Sequence, residues 1–76
     1  MHHEDFMRRA LELAQTAEEY GEVPVGAVLV LNNEIIGEGF NQVITLNDPS
    51  AHAEALAIRA AGQALGNYRL VDTTLY

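Results

Sequence analysis

Apolar residues in the first quarter of the chain, Phe6, Ala10, Leu13, Ala14 and Ala17, recur at steps of three and four, with Met7 and Leu11 widening the stripe. That is one face of an amphipathic helix, and it predicts a helix over residues 4–19. Glu4 and Asp5 suit the positive end of its dipole, and Gly21 is its expected stop. The period then changes. VPVGAVLVL, residues 23–31, is a near-continuous apolar run, rich in valine and too short for an independent helix. It predicts a strand buried on both faces. Asn32-Asn33 tolerates positive φ, so EIIGEGFN, residues 34–41, is predicted to return antiparallel as the second arm of a tight hairpin. Gly37 and Gly39 in that arm predict a bulge or the close approach of another element.

QVITLNDPS, residues 42–50, has no clear period and ends on Asp48-Pro49, which reads as a helix N-cap followed by proline at the first helical position. A second helix is predicted from residue 49 to 61 or 64, its alanines at 51, 53, 55, 57, 60 and 61 allowing it to lie flat on a sheet, and Gly66-Asn67 breaks it. The threonines and tyrosine of DTTLY look like the opening of a third strand, which implies a fold continuing past it. Helix, strand, strand, helix, strand is the order of an α/β layered domain.

Composition narrows the function. Seventy-six residues make one small domain or part of a larger one, and at this size only about 60% of the unfolded chain's surface can be buried. No apolar run approaches the roughly 20 residues that cross a bilayer, and MHHEDFMRRA has no apolar core of a secretory signal. No membrane role and a cytoplasmic location are the expectation. Four arginines and no lysine face eleven carboxylates, a net charge of −7, the wrong sign for holding phosphates by bulk electrostatics. The absence of cysteine excludes disulfides and any thiolate zinc ligand from this chain.

The candidate chemistry lies in DPSAHAEALAIR, residues 48–59, where His52 and Glu54 stand near the start of the second helix. Residues two apart on a helix point to nearly opposite sides, so these two can share a site only beyond its N-terminal end, toward which helical side chains tilt. There an imidazole can ligate a metal and a carboxylate can carry protons, as a zinc hydrolase requires. Spacing alone leaves the plain alternative open: a surface histidine, and a carboxylate stabilised by the helix dipole.

The wider pattern, GEVPVGAVLV, IIGEGFN, NDPSAHAEALAIR and NYRLVDTTLY in that order and spacing, resembles the N-terminal part of the bacterial tRNA-specific adenosine deaminases, within the zinc-dependent cytidine deaminase superfamily. The resemblance implies the α/β class and a three-layer α/β/α cytidine deaminase-like fold. Residues 1–76 would be the N-terminal portion of one such domain, cut before a P-C-x-x-C segment. It further implies that His52 is a zinc ligand and Glu54 the proton shuttle that activates water and protonates leaving ammonia. Asn41 would hydrogen-bond the bound nucleoside, and Val23 and Pro24 would line the pocket wall. The implied reaction is hydrolytic attack on C6 of an adenine flipped out of a tRNA anticodon loop, turning adenosine into inosine, in a cytoplasmic homodimer.

The superfamily signature is H-x-E followed by P-C-x-x-C, and only the first half is present. The 76 residues alone are therefore expected neither to hold zinc tightly nor to deaminate. Plain alternatives stand beside each assignment: a polar strand end for Asn41, core and turn packing for Val23 and Pro24. Tyr68-Arg69 could contact RNA by stacking and phosphate pairing, or Tyr68 could be a lid on the core. His2 and His3 are expected to be disordered terminal residues. Gly37-Glu38-Gly39 lacks the spacing of a phosphate loop. Two other functions stay open: a guanine or other small-molecule nucleobase deaminase, which the acidic charge favours, and a non-catalytic remnant or interaction module.

Overall fold

The computed structural model describes residues 2–76. Helix α1 (His3–Glu19), strands β1 (Gly26–Leu31) and β2 (Glu34–Phe40), helix α2 (Ala53–Leu65) and strand β3 (Thr74–Leu75) follow one another. The sheet order is β2-β1-β3, and both neighbours run antiparallel to the central β1.

The two N-terminal histidines depart from expectation. His2 is the N-cap of α1, its backbone N–H donating to Asp5 Oδ2 at 2.9 Å, and His3 opens the helix with its ring 5.6 Å from that of Tyr76. A carboxylate in the first turn satisfies a free donor there and meets the positive end of the dipole, which orders what composition alone would leave loose. At the other end Gly21 adopts φ 75° and the Glu22 N–H closes on the Ala17 carbonyl at 2.9 Å, the glycine stop that the sequence predicts.

β1 is shorter than its apolar run. Residues 23–25 lie outside it, with Val23 65% exposed. Pro24 lacks a ladder donor and sits in a tight turn in which Val25 N–H bonds the Val23 carbonyl at 2.8 Å. The rest of the run is buried on both faces as predicted: Ala27, Val28, Leu29 and Val30 are consecutive core residues. Asn32 (φ 49°) and Asn33 (φ 66°) form the two-residue hairpin turn. Pairing steps from Leu29↔Gly37 to Val30↔Ile35, leaving Ile36 as a one-residue bulge beside Gly37.

Alternation along β1 sends successive side chains into two different layers. On one face α1 packs Phe6 and Leu13 against Val28 and Val30, with Ile35, Phe40 and Tyr76 around them. On the other face α2 packs Ala53 and Ala57 against Ala27. This second layer is built from small residues because α2 lies almost backbone to backbone on β2. A Cβ added at Gly39 would come within 2.7 Å of the Ala57 nitrogen and 2.9 Å of Leu56 Cβ, and one at Gly37 within 2.8 Å of the Ala61 nitrogen. Both readings of these glycines, bulge and close approach, therefore hold. Gly39→Ala is expected to push α2 off the sheet and lower stability by about 1–3 kcal/mol, the usual penalty of overpacking. An unchanged urea midpoint would contradict this spacing.

The start of α2 also differs from the sequence reading. Asp48 is not its N-cap: Asp48 Oδ1 accepts the Ser50 N–H at 2.9 Å and the Ser50 hydroxyl at 2.7 Å, closing a side-chain turn around Pro49. These bonds, the hydroxyl's first, hold the Asp48 carboxyl below the ordinary aspartate range. The helix begins at Ala53, with His52 as N-cap in extended conformation (φ −83°, ψ 152°), and it ends at Gly66 (φ 63°) as expected. Among the described residues no helix is long and apolar enough to cross a membrane.

Candidate active site

The C-terminal end of β2 and the N-terminal end of α2 are stitched together. Asn41, directly after β2, is 7% exposed; its N–H donates to the Val25 carbonyl at 3.1 Å and its Oδ1 accepts the Ala53 N–H at 2.8 Å. The first amides of a helix lack intrahelical partners, so Asn41 supplies, from the sheet, the cap that Asp48 does not. Gln42 N–H bonds the Ala51 carbonyl at 2.9 Å and closes the intervening loop at its base.

His52 and Glu54 both lie at the N-terminal end of α2. His52 precedes the helix in extended backbone and Glu54 lies within its first turn; Ala51 and Ala53 are fully buried, while His52 and Glu54 are exposed. The His52 side chain makes no capping bond, which leaves its imidazole to other partners. Glu54 lies in the first turn, where the helix dipole favours a carboxylate.

Val23 and Pro24 reach the same end of the sheet through the Asn41–Val25 bond, and both are exposed. They are therefore not core residues. Tyr68 is not a lid on the core either: it is 86% exposed, with the Arg69 guanidinium carbon 5.5 Å from its ring centroid. Tyr68 and Arg69 follow the C-terminal end of α2, a helix of 13 residues, so at 1.5 Å per residue they stand about 20 Å from His52 along the helix axis. The structure gathers Val23, Pro24, Asn41, His52 and Glu54 at one end of the sheet and leaves Tyr68 and Arg69 at the other end of α2.

One residue of this region escapes sequence reasoning. Glu22 is 6% exposed, and its carboxylate accepts the Ile44 N–H at 3.1 Å, the Thr45 N–H at 2.6 Å and the Thr45 hydroxyl at 2.7 Å. Burial opposes its ionisation, but the bonds from Thr45 and Ile44 outweigh burial and hold its carboxyl below the ordinary glutamate range. No local pattern announces it, because its partners lie 22 and 23 residues away. Elsewhere two of the four arginines are engaged with carboxylates: Arg9 forks onto Glu38 at 2.6 and 3.0 Å, and Arg8 lies 3.6 Å from Asp5.

Zinc in a catalytic site takes three protein ligands and keeps a fourth position open. Among the described residues no group of three or more His, Cys, Asp or Glu converges to hold a metal, and the chain has no cysteine. His52 fits one ligand position; the residues of this chain do not complete a zinc site.

The chain is similar to known proteins along its whole length. The family model of the cytidine and deoxycytidylate deaminase zinc-binding region matches residues 1–76. A tRNA-specific adenosine deaminase of Buchnera aphidicola subsp. Schizaphis graminum is 58% identical over 71 residues, covering 93% of this chain and 47% of that protein. A solved structure from studies of A-to-I editing by tRNA:A34 deaminases at the wobble position of transfer RNA superposes with a TM-score of 0.92 at 49% identity, covering 95% of this chain and 55% of that one. The X-ray structure of guanine deaminase from Bacillus subtilis superposes with a TM-score of 0.94 at 51% identity, covering 100% of this chain and 49% of that one. The chain thus spans about half the length of the curated relatives it matches. With the helix, hairpin, helix and strand of these structures and an HAE sequence at the start of α2, the chain belongs to the cytidine and deoxycytidylate deaminase family, within its zinc-binding region.

Proposed function

We propose that residues 1–76 are the N-terminal portion of a single deaminase domain that continues into a P-C-x-x-C segment. The whole protein would convert adenosine to inosine at the wobble position of a tRNA, as a cytoplasmic homodimer with one zinc ion per subunit. The observation that carries this reading is the exposure of His52 and Glu54 together at the start of α2, beside a buried Asn41 that bonds the helix's first amide.

In that protein His52 is one zinc ligand, and two cysteines beyond this chain are the others; the bound ion supplies Lewis acidity. Glu54 takes a proton from the water that attacks C6 of the adenine and returns it to the departing nitrogen, so that one water enters and one ammonia leaves. Ala53 N–H already occupies the Asn41 oxygen, which fixes the orientation of the amide and turns its NH2 group toward an acceptor on the nucleoside. Val23 and Pro24 wall the pocket, with the ring of Pro24 keeping that segment stiff. An anticodon loop suits such a pocket because its bases are unpaired and cheap to extrude. Exposed Tyr68 and Arg69 are available to stack on the same RNA, away from the reacting base.

A second reading, deamination of free guanine, is favoured by the net charge of −7 and by the likeness to a guanine deaminase. The whole protein, loaded with zinc, should be given an anticodon stem-loop with adenine at the wobble position and, separately, guanine. Inosine in the RNA without xanthine supports the first reading, and xanthine alone supports the second. Neither product would reduce the chain to a non-catalytic member of its family.

A further inference from the structure

The Glu22 carboxylate joins the turn between α1 and β1 to the 42–47 loop, beyond the Asn41–Val25 bond at their base. Val23 is 65% exposed on one side, and Ile44 and Leu46 are 71% and 51% exposed on the other, so these three side chains do little to fasten the 42–47 loop to the turn between α1 and β1. Three hydrogen bonds to one carboxylate do so instead. Glu22 is itself anchored, because its N–H bonds the carbonyl of fully buried Ala17. Burying a carboxylate is costly, and the clusters that hold the sandwich together, around Phe6, Leu13, Val28 and Val30 and around Ala27, Ala53 and Ala57, do not include it.

Both clamped stretches lead directly to site residues. Val23 and Pro24 follow Glu22, while the loop leaves Asn41 and returns at Ala51, next to His52. We infer that Glu22 is a positioning residue for the substrate pocket: its carboxylate holds the 42–47 loop at a fixed separation from Val23 and Pro24, so that substrate meets a formed wall. This inference rests on the deaminase reading above. Glu22 touches no reacting atom, so its loss should weaken substrate binding more than it slows the chemical step.

The test compares Glu22→Gln and Thr45→Val in the whole protein. Glutamine keeps the shape but turns an NH2 group toward donors, and valine removes only the Thr45 hydroxyl bond. Hydrogen exchange at the amides of Ile44 and Thr45 is read against that of Val28, and steady-state kinetics use the wobble-adenine stem-loop, or guanine if that is the substrate turned over. In Glu22→Gln the two loop amides are expected to exchange at least about tenfold faster and KM to rise by about tenfold, the scale of a lost bond to a charged group. Val28 exchange and kcat should stay close to wild type, and Thr45→Val should show a smaller rise in KM. Unchanged loop exchange would remove the clamp. Faster loop exchange with an unchanged KM, or equal acceleration at Val28, would remove the positioning role. Exchange needs no turnover: a wild-type protein inactive on both substrates overturns the functional reading and the positioning role with it, while the clamp is still judged by the amides.

Discussion

Glu54→Gln in the whole protein is expected to fold, to keep its zinc and to lose turnover by about 10²–10⁴-fold, the usual contribution of a positioned proton-transfer group. The side chain is exposed in the first turn of α2 and belongs to neither core cluster, so little folding free energy rides on it. Glutamine keeps the size and loses the ability to take and return a proton, which isolates that role from packing. Zinc content and the thermal midpoint should match wild type while kcat falls and KM changes little. Turnover within a few-fold of wild type would remove Glu54 from the chemistry and with it the main support for a hydrolytic deaminase.

His52→Ala should behave in the opposite way, changing metal content first. If the imidazole is a ligand, its removal lowers zinc stoichiometry, and because the ion binds the folded state it lowers the thermal midpoint too. A chelator should then destabilise the wild-type protein by several degrees and leave the variant almost unmoved, as expected for a binding energy that is part of folding. His52 is exposed and outside both cores, so a stability loss that chelation reproduces in wild type points to the ion and not to packing. Full zinc stoichiometry in the variant would exclude His52 as a ligand. The two substitutions together separate a proton-carrying group from a metal-holding one.

The misreadings are as informative as the agreements. Asp48-Pro49 carries the residue types of a helix start, yet Ser50 captures the aspartate locally and the helix waits for Ala53. A side chain that can bond the nearest hydroxyl and amide will do so before it caps a helix, and nothing in the spacing shows which wins. The four-residue shift changes the candidate site, since it turns His52 from a helical residue into an extended N-cap. Tyr68 was open to a core role on its residue type alone and is instead almost wholly exposed.

What the sequence by itself determined is whatever depends on near neighbours along the chain. The α1 stripe, the two-faced burial of β1, the Asn32-Asn33 turn and the glycine ends of both helices follow from periods of two and 3.6 residues and from φ preferences that each residue carries with it. The His-x-Glu pair is visible in the same way, as is its likeness to a family. Tertiary structure alone decided that Asn41 would cap α2 across 12 residues and that Glu22 would clamp a loop 22 residues on. Those contacts form between groups that do not meet until the sheet has closed, and any of several polar residues could have served in their place. Only the folded geometry selects among them, because a buried donor or acceptor must find a partner within hydrogen-bond reach.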